Sequence, residues 1–293
     1  YDYVTYELLG SEEPFKLVID CKKGPVHQLG IGVRADTEEI VSVLMNLGLN
    51  AHRLQGHKLD FIGKVSANPY CQLHWAYDTP KIPTINASAS VRWTDMNLLN
   101  FRDNDLSFSF LNMRQELYLS NIKWKWLDIK GGLRNDYFNV RDLKSSQIMG
   151  DYDFSLLKND FMSLFLDART DTCDDGYFPT RGVDVGLSYS WTFAGFPTSI
   201  RPFQTVTADA KVVVPVGNIF AFIPSFNMRF LFVLEVPVPF FNAVGGSLAR
   251  RYVDQQMPFI GMTNLAAMKN ILTIFRTDYR FRLAKNHYLT GIL

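Results

Sequence analysis

Over residues 183–193 the chain alternates without a break. Val183, Val185, Leu187, Tyr189, Trp191 and Phe193 hold one phase, and Asp184, Gly186, Ser188, Ser190 and Thr192 hold the other. Successive side chains of a β-strand point to opposite faces, so this segment presents one apolar, aromatic face and one small, polar face. Strict alternation of this length, with aromatics toward one end, suits a strand that crosses a bilayer.

The same period recurs at 29–35, 41–49, 59–65, 71–77, 85–93, 206–214, 220–232 (broken at Pro224) and 277–283. A soluble sandwich would show an aliphatic core face and a face turned to water. Here the apolar phase is rich in aromatics, and the opposite phase carries Arg, Asp, Asn, His, Ser and Gly, the character of a polar barrel interior. Connections at 35–39, 67–70 and 216–218 read as tight, and those at 134–151, 169–182 and 233–265 as long, which suggests short turns on one rim and long loops on the other. The expected fold class is all-β, a transmembrane antiparallel β-barrel. About eleven strands precede the 233–265 segment and about two follow it.

Composition narrows the function. With 30 basic and 29 acidic residues the net charge is +1, which argues against an electrostatic nucleic-acid partner. The most apolar stretch, 230–244, contains Glu235, Pro237 and Pro239 and is too short and broken for a spanning helix. Residues 1–6 lack the basic and apolar regions of a signal peptide, so the chain reads as a mature protein or the downstream part of a longer one. Cys21, Cys71 and Cys173 have no metal-binding spacing, and neither a metal nor a cofactor is expected. Residues 1–24 read as a short hairpin around 10–14, with arms too short and too charged to span lipid.

Residues 174–182 read Asp-Asp-Gly-Tyr-Phe-Pro-Thr-Arg-Gly, directly before the strand at 183–193. Glycine and proline alone would mark a turn. The run Phe178, Pro179, Thr180, Arg181, Gly182 also resembles the motif that leads into a mid-barrel strand of the BamA/TamA superfamily, whose members are outer-membrane assembly and translocation barrels. Asp167-Ala168-Arg169-Thr170-Asp171 is similar to that family's preceding strand. A second block reads Asn242-Ala243-Val244-Gly245-Gly246-Ser247, then Arg250-Arg251-Tyr252, then Gln255-Gln256-Met257-Pro258-Phe259-Ile260-Gly261. Its position matches the superfamily's sixth extracellular loop, which folds into the lumen and inserts an arginine against acidic wall groups. The glycine that the family places between Arg and Tyr is absent. Either Arg250 or Arg251 is the inserted residue, and Arg251 is favoured.

Within the superfamily, the 242–261 block looks most like the barrel half of Bacteroidetes-type patatin-like phospholipases. The resemblance implies a bacterial outer-membrane location and a barrel of about sixteen strands, of which about thirteen lie in this chain. It makes residues 1–24 the end of a POTRA-like periplasmic module and residues 25–293 the barrel. On this reading the chain stops at Gly291-Ile292-Leu293 inside the thirteenth strand. An unclosed edge in lipid would need a partner. The implied partners are outer-membrane lipid, barrel-assembly machinery and a second copy in a homodimer. The chain would anchor a lipid acyl hydrolase whose catalytic domain lies upstream; the competing reading is a translocase or insertase with no enzyme attached.

No catalytic residue is assigned within the chain. Gly245-Gly246-Ser247-Leu248-Ala249 imitates a nucleophile motif, but the segment before Ser247 is broken by prolines and is not the buried parallel strand that a nucleophile elbow requires. His52 and His74 fall on the polar phase, and His27 and His57 at strand starts. On the strand after the long loop, Arg276, Asp278, Arg280 and Arg282 share one phase, and Asp278 is the expected carboxylate partner for Arg251, because an unpaired buried charge is costly.

Overall fold

The computed structural model describes residues 3–9, 16–22, 27–36, 40–50, 56–79, 82–98, 106–141, 144–145, 158–176, 178–217, 219–233, 237–246, 253–259, 261–262, 267–284 and 287–292. In chain order its first two strands, β1 (Tyr3–Leu9) and β2 (Lys16–Lys22), pair, among the described residues, only with each other. The wall begins with β3 (His27–Asp36), β4 (Ile40–Asn50), β5 (His57–Val65), β6 (Tyr70–Thr79) and β7 (Ile82–Leu98). It continues through β8 (Leu106–Trp124), β9 (Leu127–Val140), β11 (Lys158–Asp171), β12 (Gly182–Phe196), β13 (Phe203–Val216) and β14 (Phe220–Phe232). The last two wall strands are β18 (Ile271–Ala284) and β19 (His287–Ile292).

Each wall strand pairs antiparallel with the next, and the short β10 (Lys144–Ser145) pairs with β8 off this path. Among the described residues eleven wall strands therefore precede residue 233 and two follow, as the alternation predicted. Among the described residues no ladder joins β3 to β19.

The two phases of β12 separate as the sequence requires. Leu187 is 52% exposed, and Val185, Tyr189 and Trp191 are exposed with it, while Gly186 and Thr192 on the other phase are buried. The same outward phase carries Leu29, Ile31 and Val33 on β3, Leu164 and Leu166 on β11, and Ile271 and Phe275 on β18, all exposed. So much contiguous apolar surface is unfavourable in water and matches the lipid-facing band of a transmembrane barrel.

The inner face departs from a purely polar lumen. Phe110, Phe138 and Phe161 point inward from β8, β9 and β11, and Phe161 is fully buried. They form an apolar core inside the barrel, with Ala243 buried among them.

Hairpin parity corrects the sequence-based assignment of rims. Antiparallel neighbours place successive connections at opposite ends. The connections at 37–39, 66–69, 99–105, 141–157, 197–202 and 233–270 therefore share one rim, called upper here. Those at 51–56, 80–81, 125–126, 172–181, 217–219 and 285–286 share the lower rim. The tight turns at 37–39 and 66–69 thus lie beside the longest loop, and the long 172–181 connection lies opposite it. Loop length alone does not report the rim, because a functional insertion can occupy either end.

Candidate functional site

Two constellations place polar chemistry inside the barrel, and the segment after β14 builds the first. Its 3-10 turn, Val238–Phe240, drives the Phe240 ring into the upper core. That ring meets Phe161 at 4.9 Å, Phe203 at 5.1 Å and Phe138 at 5.7 Å between centroids, edge to face in each case. Such pairs add about 0.5–1.5 kcal/mol each beyond the area they bury. Beyond the turn, Asn242 donates Nδ2 to the Arg229 carbonyl at 3.1 Å, and its Oδ1 accepts from Arg229 Nη1. The same Nη1 donates to the Phe240 carbonyl at 2.9 Å, so one wall arginine ties the root of the loop in place.

The loop then folds on itself. The strands β15 (Asn242–Val244), β16 (Gln256–Met257) and β17 (Ala267–Lys269) form a small sheet in the order β16-β15-β17. Gly245 and Gly246 run on from β15 at φ values of 128° and 76°, which side chains with a Cβ rarely adopt. The Gly246 carbonyl accepts from the Phe259 amide at 3.0 Å, and Gln256 Nε2 donates to the Gly245 carbonyl at 3.0 Å.

From this folded segment Asp254 reaches the wall. Its Oδ1 accepts from Arg92 Nη1 of β7 at 2.7 Å, and its Oδ2 accepts from Arg114 Nη1 of β8. Arg114 Nε donates in turn to Asp136 Oδ1 of β9 at 2.6 Å, and the Asp136 side chain is only 2% exposed. Two carboxylates therefore grip one guanidinium, and a second guanidinium shares the loop's carboxylate. Next to this cluster Arg134 Nε donates to Glu116 Oε1 at 2.6 Å, and its guanidinium lies 4.5 Å from the centre of the Phe165 ring. The cluster borders a cavity of 780 Å³ whose walls include Lys130, Asp167, Arg169, Asp209 and Asn227.

The second constellation is at the lower rim. Asp174 accepts hydrogen bonds from the Thr180 amide at 2.8 Å, the Thr180 hydroxyl and the Arg181 amide at 3.2 Å. These bonds, the Thr180 hydroxyl first, hold its carboxyl down to about 2, so it stays ionised. The turn thus closed carries Phe178 past the 217–219 connection to the far hairpin, where its ring stacks on Tyr288 of β19 at 5.0 Å and 6°. Pro179 is buried, and its carbonyl accepts from Arg280 Nη1 of β18 at 2.9 Å. The 172–181 connection is therefore a strap across the rim. A double-mutant cycle on Phe178→Ala and Tyr288→Ala, read by urea unfolding in micelles, is expected to give about 0.5–1.5 kcal/mol of coupling. Additive losses would show that the stack contributes nothing.

Residues 83–292 match the sequence model of the OMP85 superfamily. The chain belongs to that superfamily. Solved structures place the likeness in three dimensions. BamA from Haemophilus ducreyi lacking POTRA domains 1–3 aligns with a TM-score of 0.69 at 13% identity, covering 96% of this chain and 58% of that one. CdiB from Escherichia coli gives 0.60 at 9% identity over 99% of this chain and 56% of its own. CdiB from Acinetobacter baumannii gives 0.55 at 11% identity over 99% and 58%. At these identities the likeness is one of fold, and the chain spans less than two thirds of each of these structures. No curated protein matches it.

The positions singled out in the sequence fall unevenly within this OMP85 barrel. Gly245, Gly246, Pro258 and Phe259 belong to the folded loop, and Pro258 lines the cavity. Ser247, Arg250, Arg251 and Tyr252 lie outside the described residues, so the expected pair of Arg251 with Asp278 does as well. Asp278 receives Arg276 through two hydrogen bonds of 2.6 and 2.7 Å. The described lumen contact has the opposite polarity, a loop carboxylate held by wall arginines. Sequence reading missed Asp254; its one signal was a carboxylate two residues after Arg-Tyr. Phe178, Pro179, Thr180 and Arg181 belong to the rim strap, and Gly182 is its entry into β12. His74 faces inward, with Nε2 3.1 Å from Asn86 Oδ1 and 3.3 Å from the Tyr118 hydroxyl, and His57 opens β5 against Trp75 and Tyr77. His52 lies outside the described residues.

Proposed function

We propose that this OMP85 barrel inserts proteins into, or moves them across, the outer membrane, and that its own 233–270 segment closes the lumen at rest. The observation that carries this reading is the Asp254 contact. A lumen sealed by a permanent plug would favour dry, apolar packing, whereas here the loop is held by a partly exposed carboxylate shared between two wall arginines, beside a 780 Å³ polar cavity. Water entering that cavity can meet the freed charges when the loop leaves, which lowers the cost of breaking the contact. The superfamily that the 174–182 and 242–261 motifs resemble consists of assembly and translocation barrels, which supports the same reading.

The test uses the full chain reconstituted in liposomes and presented with an unfolded, urea-solubilised outer-membrane barrel as client. Folding of the client, followed by its heat-dependent gel migration, is expected to be faster than into empty liposomes. Equal rates would refute the proposal. The narrower reading, a barrel that anchors a patatin-like acyl hydrolase, rests on the resemblance of the 242–261 block. Its test is the sequence upstream of Tyr1, where a Gly-x-Ser-x-Gly elbow with an Asp-Gly-Gly or Asp-Gly-Ala partner supports it and serial POTRA modules oppose it.

A further inference from the structure

Beneath the rim strap lies a recess of 430 Å³, and its charge is lopsided. Arg181 from the strap and Arg280 and Arg282 from β18 line it, together with Ile219, Phe220 and Tyr288. Asp174 is the carboxylate on the same lining, and its oxygens already accept from Thr180 and Arg181 within the strap. Asp278, on the same face of β18, is held by both arms of Arg276. Among the described residues none of the three arginines makes an ion pair with a carboxylate.

Arg280 carries the most specific signal. Nη1 is tied to the Pro179 carbonyl at 2.9 Å, and the guanidinium lies over the rings of Phe178 at 5.6 Å and Tyr288 at 5.9 Å. These contacts fix its plane. Nε, however, is buried and has no hydrogen-bond partner. A buried N–H without an acceptor costs about 1–3 kcal/mol, and it is a donor of the guanidinium edge that grips oxyanions through two parallel bonds.

We propose that this recess binds a phosphoryl anion, with Arg280 as the positioned fork and Arg181 and Arg282 completing the charge. A tetrahedral phosphate offers oxygens in several directions and suits guanidiniums arriving from separate segments better than a planar carboxylate does. The recess sits at the lower rim beside the outward-facing Phe220 and the exposed Ile219, at the level where a barrel's aromatic girdle meets lipid headgroups. Phosphate reaches such a place either free in solution or as the headgroup of a phospholipid.

The test follows the ³¹P resonance of each probe on titration with the full chain, folded in micelles of an uncharged, phosphorus-free detergent. One arm uses inorganic phosphate. The other uses dioctanoyl phosphatidylglycerol, with dioctanoylglycerol as a competitor that lacks the phosphate. The protein is expected to broaden the resonance of at least one probe, and dioctanoylglycerol should not displace the lipid. Arg280→Gln and Arg282→Gln should each weaken binding by about tenfold or more, and Arg280→Lys, which keeps the charge and loses the fork, by less. Lys211→Gln, on the wall strand β13, should leave it unchanged. Broadening by phosphate alone assigns a free anion, and broadening by the lipid alone assigns a headgroup. No broadening in either arm overturns the proposal. So does broadening that persists undiminished in Arg282→Gln, a variant that leaves the strap's own hydrogen bonds intact.

Discussion

Replacing Asp254 with alanine is expected to release the 233–270 segment from its hold on β7 and β8 and leave two inward-facing guanidiniums short of a partner. Arg114 keeps Asp136 through its Nε bond, but Arg92 retains only its position 5.1 Å from the centre of the Tyr70 ring. Removing one member of a buried ion cluster costs about 3–5 kcal/mol, mostly because the remaining charge stays desolvated. The Asp254 side chain is 31% exposed, so water recovers part of that and the lower end, about 3 kcal/mol, is the expected loss in urea unfolding. Phe240 and Asn242 still hold the root of the loop, so the barrel should fold. Its lumen should open, and planar-bilayer recordings should show larger and more frequent conductance steps than the unmodified chain. Asp254→Asn keeps one acceptor without the charge and should fall between the two. Unchanged conductance together with unchanged unfolding in Asp254→Ala would mean that the contact does not hold the loop.

The strand wall was legible in the sequence because period two is a direct consequence of strand geometry, and each outward phase repeats it. The phases at 183–193 and 220–232 correspond to the lipid faces of β12 and β14. The inner aromatic core was not legible. In β11, Phe161 and Phe165 alternate with Met162 and Leu164, so both phases are apolar and no period tells lumen from lipid. Asp254 was invisible for a different reason. It sits in a loop without periodicity, and its partners Arg92 and Arg114 are 162 and 140 residues away, so only the folding of the loop against the inner wall brings them together. The strap was half legible. The run at 178–182 announced something more than a turn, yet its contact with Tyr288 and Arg280 depends on the chain crossing the rim past the 217–219 connection.

Gly182, the last residue of that run, gives the sharpest check on the strap, because its neighbour in the strand supplies the control. Its φ is +126°, and a Cβ placed there would lie 2.6 Å from Cys173 Cα, 2.7 Å from the Thr172 carbonyl oxygen and 2.8 Å from Cys173 N. All three are backbone atoms. They cannot retreat, because the Thr172 amide donates to the Val183 carbonyl at 2.9 Å and the Val183 amide donates to Thr172 Oγ1 at 3.0 Å. Gly182→Val therefore combines a disfavoured backbone conformation with a clash that cannot relax, and is expected to cost about 4 kcal/mol. Gly186, four residues along the same strand, looks equally crowded, since its Cβ would meet Asp209 Oδ1 at 2.6 Å. That neighbour is the free end of a side chain, which a rotamer change can move. Gly186→Ala should then cost less than about 1 kcal/mol. Heat-dependent gel migration and urea unfolding of the two variants in micelles decide the matter. A Gly182 variant that folds as readily as the Gly186 variant would show that the strap does not need its tight entry into β12.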